Sequence, residues 1–153
     1  APRLSELMLT AELAREYHRA LITQVVRMLC GGIIHGDLSE YNVLVDSAGP
    51  VIIDLPQAID AAANSQACRM LLRDVENLAV YFGQFAPELP ATRYGMEIWA
   101  LYQSGQLRPD SVLTGRFERI EQPVDLQSLL REIDDALKEE EARKRYRALH
   151  AHQ

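Results

Sequence analysis

Apolar residues recur along this chain in two rhythms, one helical and one extended. Leu13, Tyr17, Leu21, Val25 and Met28 follow one another at steps of four, four, four and three, which predicts an amphipathic helix with one buried stripe. Thr10 can cap its start, Glu12 suits the positive end of the helix, and Gly31-Gly32 stops it. On this stripe Tyr17 belongs to the core and His18 to the surface. Ile33-Ile34 is a short buried run. Val43-Leu-Val45 and Val51-Ile-Ile53 read as two strands, with turn residues in Asp46-Ser-Ala-Gly-Pro50 between them. A hairpin symmetric about Ala48 would set Asn42 opposite Asp54. Ala58 to Asn64 reads as a loop or short turn. Helical spacing returns from about Ser65 to Phe85, through Met70 or Leu71, Val75, Leu78 with Ala79, and Phe82. Pro87 and Pro90 break it. A third helix is predicted over Thr92 to Gln103, with Trp99 in the core, and Gly105 to Gly115 is a linker in which Ser111 reads as a helix cap. After Pro123 a last helix runs from Asp125 toward the end, about 125–150, with Leu126, Leu129, Leu130, Ile133 and Leu137 on its apolar face. Its tail pairs Glu139 with Arg143 and Glu141 with Arg145 at the favourable i, i+4 order. That charge run reads as a solvated tail or, alternatively, as an RNA contact. The fold class is therefore mainly α with a small β-hairpin (α+β).

Composition narrows this little. A chain of 153 residues, 48% apolar and 25% charged, suits one soluble domain, 1–153. A net charge of −6 gives no overall basic footprint for nucleic acid. The apolar runs fall well short of the roughly 20 residues a membrane helix needs, and no secretory pattern opens the chain. Cys30 and Cys68 are too few for a disulfide framework and read as reduced thiols packed inside a cytoplasmic protein.

The chemistry gathers in His35-Gly-Asp-Leu-Ser-Glu-Tyr-Asn42 and in Ile52-Ile-Asp-Leu-Pro-Gln57. Two acidic side chains and an amide flank a short hairpin. Phosphoryl transfer needs a hard, oxygen-liganded divalent ion and a separate carboxylate to take the acceptor's proton. Asn42 and Asp54 fit the first task, and Asp37 the second. Taken singly, each is equally a loop cap or a strand end; the spacing together favours the catalytic reading. His35 reads as a structural imidazole that pins the loop. Leu44 and Ile53 would supply an apolar floor for adenine or simply pack in the core. Glu40 and Tyr41 orient the loop or face substrate. Arg73 and Asp74 form a surface ion pair, or else Asp74 accepts N–H groups from the loop. Gly31-Gly32 lacks the spacing of a phosphate-binding loop and reads as a terminator.

Asp37 followed by Asn42 resembles a protein-kinase catalytic loop, with His35-Gly36-Asp37 where most read H-R-D, and Asp54 falls where the D-F-G aspartate would. The string HGDLSEYN with DLPQ after the hairpin resembles the RIO family of atypical protein kinases. Ala1-Pro-Arg-Leu4 and Leu72-Arg-Asp-Val-Glu-Asn77, ending in Tyr81-Phe82, agree with it, so the resemblance runs from residue 1 to about 120. Leu55 departs from the Phe or Val of relatives. The resemblance implies the C-terminal lobe of a kinase-like fold, a serine/threonine kinase or ATPase using ATP with Mg²⁺ or Mn²⁺, and a protein substrate in a ribosome-associated setting. It implies Asp37 and Asp54 as catalytic residues, with Asp54 as the site of an aspartyl-phosphate. It makes Asn42 and Asp54 the metal ligands, with Ser39, Asn42, Leu44 and Ile53 at the nucleotide. Ser39 replaces a lysine. Gly36 replaces an arginine that reads a phosphorylated activation loop, and no A-P-E signature follows.

Residues 1 to 137 contain no lysine, and neither a glycine-rich loop nor an ATP-anchoring lysine is present. The expectation is a lobe without its N-terminal partner, inactive alone and prone to self-associate through the face so exposed. Two rivals remain. One is a small-molecule kinase of the aminoglycoside or choline kinase type, which shares H-G-D-x-x-x-x-N. The other is a non-catalytic assembly module.

Overall fold

The structure is a computed structural model that describes residues 1–55, 58–117 and 127–150, the last with backbone only over 127–130. It is mostly helical with small antiparallel ladders, and it contains two compact units. The first is Ala1–Phe117, and the C-terminal helix belongs to the second.

In the first unit, α1 (Ala11–Cys30) begins where Thr10 accepts a hydrogen bond from Leu13 N at 3.1 Å. It ends at Gly31, after which Gly32 takes φ +82°, a backbone region that glycine enters without steric cost. Its buried positions are Ala14, His18, Leu21, Ile22, Val25, Val26 and Leu29, so the core-facing stripe is broader than the predicted one and turned by about one position. Tyr17 is only partly buried and His18 is interior, the reverse of the sequence expectation for His18. Cys30 is also exposed, against expectation, because it lies on the far side of the same helix; Cys68 is buried.

Two short ladders follow. β1 (Ile33–Ile34) pairs with β4 (Ile59–Asp60) in antiparallel fashion, Ile33 with Asp60 and Ile34 with Ile59. This ladder was not anticipated: the stretch read as a loop holds a strand of two residues, too short for alternation to reveal. β2 (Val43–Asp46) pairs with β3 (Gly49–Ile52), with Val43 opposite Ile52 and Asp46 opposite Gly49. The turn is thus Ser47-Ala48, stabilised by Asp46 Oδ1 accepting from Ala48 N at 2.7 Å, with Gly49 at φ +118°. The register differs by one residue from the symmetric guess: Asn42 meets Ile53, not Asp54, and Ile53 N donates to Asn42 O at 2.8 Å.

α2 (Ala67–Gly83) and α3 (Tyr94–Gln103) complete the core, with Phe82 and Trp99 almost wholly enclosed. Ser111 accepts from Arg108 N at 2.8 Å in a loop turn, so it caps no helix. α4 (Gln127–His150) carries the Glu141–Arg145 pair at 3.8 Å that the spacing predicted, and a Glu140–Lys144 pair at 3.6 Å. The start of the predicted helix at Asp125 and Leu126, and the side chains of Leu129 and Leu130, lie outside the described residues. No helix among the described residues is long and apolar enough to cross a membrane.

His18 sits between two aromatic rings, with centroids 5.8 Å from Phe82 and 5.6 Å from Tyr94, and its Nε2 has no hydrogen-bond partner among the described residues. Burial there lowers its pKa from 6.5 to about 4, with a smaller push from Arg19. The unfolded chain therefore takes up a proton before the folded one does. Stability is full above pH 6.5, declines as the pH falls through that window, and is lost to this group below about 4. The loss should approach about 3 kcal/mol, at roughly 1.4 kcal/mol per pKa unit. Urea unfolding at pH 7 and pH 4 should show it, and His18→Leu should shrink the difference between them.

Candidate active site

The segment between β1 and β2 leaves the core at His35 and turns back at Asn42. His35 is buried. Its Nδ1 accepts from Asp37 N at 3.2 Å, which requires that nitrogen to be unprotonated. Its Nε2 then carries the proton and donates to Ile53 O at 2.8 Å. The imidazole thus ties the loop bearing Asp37 to the residue preceding Asp54, in the pinning role expected for it.

Gly36 has φ +87°, so a side chain there would be strained whatever its chemistry. Both of its peptide groups are held by α2. Asp74 Oδ2 accepts from Gly36 N at 2.8 Å, Asp74 Oδ1 accepts from Leu38 N at 3.1 Å, and Arg73 donates to Gly36 O at 2.8 Å. One turn on, Asn77 donates to Leu38 O at 3.1 Å. Of the two readings of Arg73 and Asp74, the loop clamp is the one realised. Burial pushes the Asp74 carboxyl above its ordinary value, and the Gly36 and Leu38 N–H groups pull it back.

With its backbone so fixed, the loop presents Asp37 at the surface. Asn42 donates from Nδ2 to Asp37 O, which commits the amide nitrogen and leaves Oδ1 as the uncommitted oxygen among the described residues. Ser39 Oγ accepts from Tyr41 N at 3.3 Å, capping the single turn Glu40–Asn42, and retains a proton to donate. Leu44 and Ile53 are both partly buried. Asp54 is exposed, with φ +63°, the one non-glycine residue in left-handed backbone among those described. Aspartate tolerates this region better than most residues, and the usual cost is about 1 kcal/mol. Pro56 and Gln57 lie outside the described residues. The backbone around Asn42 and Asp54 is therefore joined directly: Asn42 O to Ile53 N, and Ile53 O to His35.

The sequence reading passed over Gln24 and Asn77. Both are side-chain amides on helix faces that turn toward loops, and helical spacing alone does not separate such positions from solvent-facing ones.

The sequence that builds this arrangement is similar to known proteins. Residues 1–94, more than half of the chain, match the RIO domain. The chain belongs to the RIO domain family. Among similar proteins, the RIO-type serine/threonine-protein kinase Rio1 of Haloferax volcanii is 40% identical over 87 residues, covering 54% of this chain and 27% of that protein. Rio2 of Methanocaldococcus jannaschii, also named a RIO-type serine/threonine-protein kinase, is 40% identical over 83 residues, covering 54% of this chain and 30% of its own length. The human serine/threonine-protein kinase RIO1 is 32% identical over 83 residues and is covered to 14%. The chain spans less than a third of the length of each of these relatives.

Asp74→Ala should strand two interior N–H groups and cost about 3 kcal/mol, at roughly 1–3 kcal/mol for each unsatisfied group. Denaturant unfolding would measure the loss, and faster amide exchange at Gly36 and Leu38 would locate it. Asp74→Asn, which keeps one acceptor oxygen, should fall between.

Proposed function

We propose that this chain carries the catalytic and metal-binding loops of an ATP-dependent protein serine/threonine kinase or ATPase of RIO type. The observation that supports the reading best is the hydrogen-bonded ring at the base of the hairpin. His35 to Ile53, Ile53 to Asn42 and Asn42 to Asp37 bind the two loops into one unit, from which Asp37 and Asp54 project to solvent.

In this reading Asp37 accepts the proton of the incoming hydroxyl as its oxygen bonds the γ-phosphorus of ATP and the bond to the β,γ-bridging oxygen breaks, releasing ADP. Its backbone is held from the inside by Asp74 and His35, so the carboxylate needs little reorganisation. Asn42 and Asp54 offer one amide oxygen and one carboxylate, a hard donor set that suits Mg²⁺ or Mn²⁺, whose remaining positions go to phosphate and water. When bound, such an ion neutralises charge on the phosphates. Ser39, its oxygen already engaged by Tyr41 N, donates its proton toward a phosphate oxygen. Leu44 and Ile53 face the base. In an ATPase cycle on this reading, the Asp54 carboxylate attacks the γ-phosphorus as ADP leaves, and water then cleaves the aspartyl-phosphate to aspartate and inorganic phosphate.

The chain corresponds, on this reading, to a C-terminal lobe. No glycine-rich loop occurs in it, and its only lysines are Lys138 and Lys144. By itself it should bind nucleotide weakly and turn over little, since half of the positioning machinery is missing.

ATP turnover by the full-length protein carrying this chain, with no acceptor, with peptide and with an aminoglycoside, tests the assignment. Turnover without acceptor, or on peptide alone, is expected; drug-dependent turnover would place the protein with small-molecule kinases instead. Asp37→Asn should lower turnover about a hundredfold or more, the usual worth of a positioned general base. Asp54→Asn, which suits left-handed backbone equally well, should abolish activity while leaving the unfolding midpoint nearly unchanged. Undiminished turnover in both variants would overturn the reading.

A further inference from the structure

The hairpin that carries Asn42 and Asp54 at its base is small, with four residues in each strand. Two strands of this length are not stable in isolation, so something must hold the outer edge of β3. Gln24, in the middle of α1, does this with both ends of its side-chain amide. Nε2 donates to Pro50 O at 2.6 Å, and Oε1 accepts from Ile52 N at 3.2 Å. Its primary amide stands in for the peptide group of a neighbouring strand, one donor and one acceptor in ladder order. Pro50 itself has no N–H to offer, and its carbonyl is one of the two groups so paired.

We propose that Gln24 is a positioning residue for Asp54. The inference rests on the metal-binding role given to Asp54 above. Ile52 N is fixed by Gln24, Ile53 N by Asn42 O, and Ile53 O by His35, so three consecutive bonds lead along the backbone to the residue at φ +63°. A left-handed aspartate persists only where its surroundings hold it there. The Gln24 bond is the contribution of α1 to that restraint. Without it β3 is paired on one side only, and the backbone that carries the Asp54 carboxylate is freer to leave φ +63°.

The test is an NMR titration of the 153-residue chain with Mn²⁺ alone, reading the paramagnetic broadening of the Asn42 and Asp54 amides. Gln24→Ala should weaken the fitted affinity by about tenfold or more, the range typical of residues that orient metal ligands, and should speed exchange at the Ile52 amide. Thr23→Ala, which removes only a hydroxyl bonded to Arg19 O within the same helix, should do neither. The titration is run well below the melting temperature of each variant, so that lost stability alone does not move it. If Gln24→Ala melts earlier yet binds Mn²⁺ as the parent does, Gln24 is merely structural and the inference falls. If Asp54→Asn leaves the broadening unchanged, the metal reading itself falls and takes the inference with it. Should Gln24→Ala not fold, Gln24→Glu, which keeps Oε1 for Ile52 and loses the amide donor to Pro50, is read by the same criteria.

Discussion

A single buried carboxylate sets the shape of the loop on which the rest depends. Asp74 receives two backbone N–H groups from the loop, and the loop is thereby tied to α2 at both. Burial works against the charged form of Asp74, and the two donors work for it. Neither partner is comfortable without the other: the amides would be stranded inside, and the carboxylate would be desolvated without compensation. Mutual dependence of this kind makes the loop part of the core rather than an appendage. It also explains the glycine between His35 and Asp37. A residue at φ +87°, with its N–H and C=O both claimed by α2, has no room to be anything that resists left-handed backbone.

The hairpin side of the site is held by a different kind of force. Its restraints are separate hydrogen bonds, one each from an imidazole and a loop asparagine and two from a helix glutamine, each worth about 1 kcal/mol in net terms. Asp54 costs about as much in backbone conformation as one of these bonds returns. The two carboxylates thus rest on unlike foundations, Asp37 on an enclosed clamp and Asp54 on a lattice of weaker ties over a strained residue. The fold builds rigidity beneath Asp37 and compliance beneath Asp54.

Much of this was legible in the residues themselves. His35-Gly-Asp through Asn42 and the aspartate after the hairpin marked the candidate site, and the structure ties their two loops together by hydrogen bonds. Thr10 and Gly31-Gly32 marked the limits of α1, since caps are local chemistry. What escaped was set by tertiary contact. His18 lies on a flank of α1 that only the arrival of Phe82 and Tyr94 turns into interior. The pairing of β1 with β4 joins segments more than 20 residues apart through two residues each. The hairpin register slipped by one because an Asx turn at Asp46 closes the loop over two residues, where symmetry about Ala48 assumed a different closure. Gln24 looked like any polar residue on an amphipathic helix, and its role appears only when β3 lies across it.

The hairpin also has no bare flank. On the β2 side, Pro2 O takes the Val45 N–H at 2.8 Å and Arg3 forms a bridge to Leu44; on the β3 side stands Gln24. Unpaired strand margins are where foreign chains add themselves and where fibrils begin. Here the Val45 N–H, the Pro50 carbonyl and the Ile52 N–H are claimed by pieces of the same molecule, so those groups are withheld from any strand of another copy.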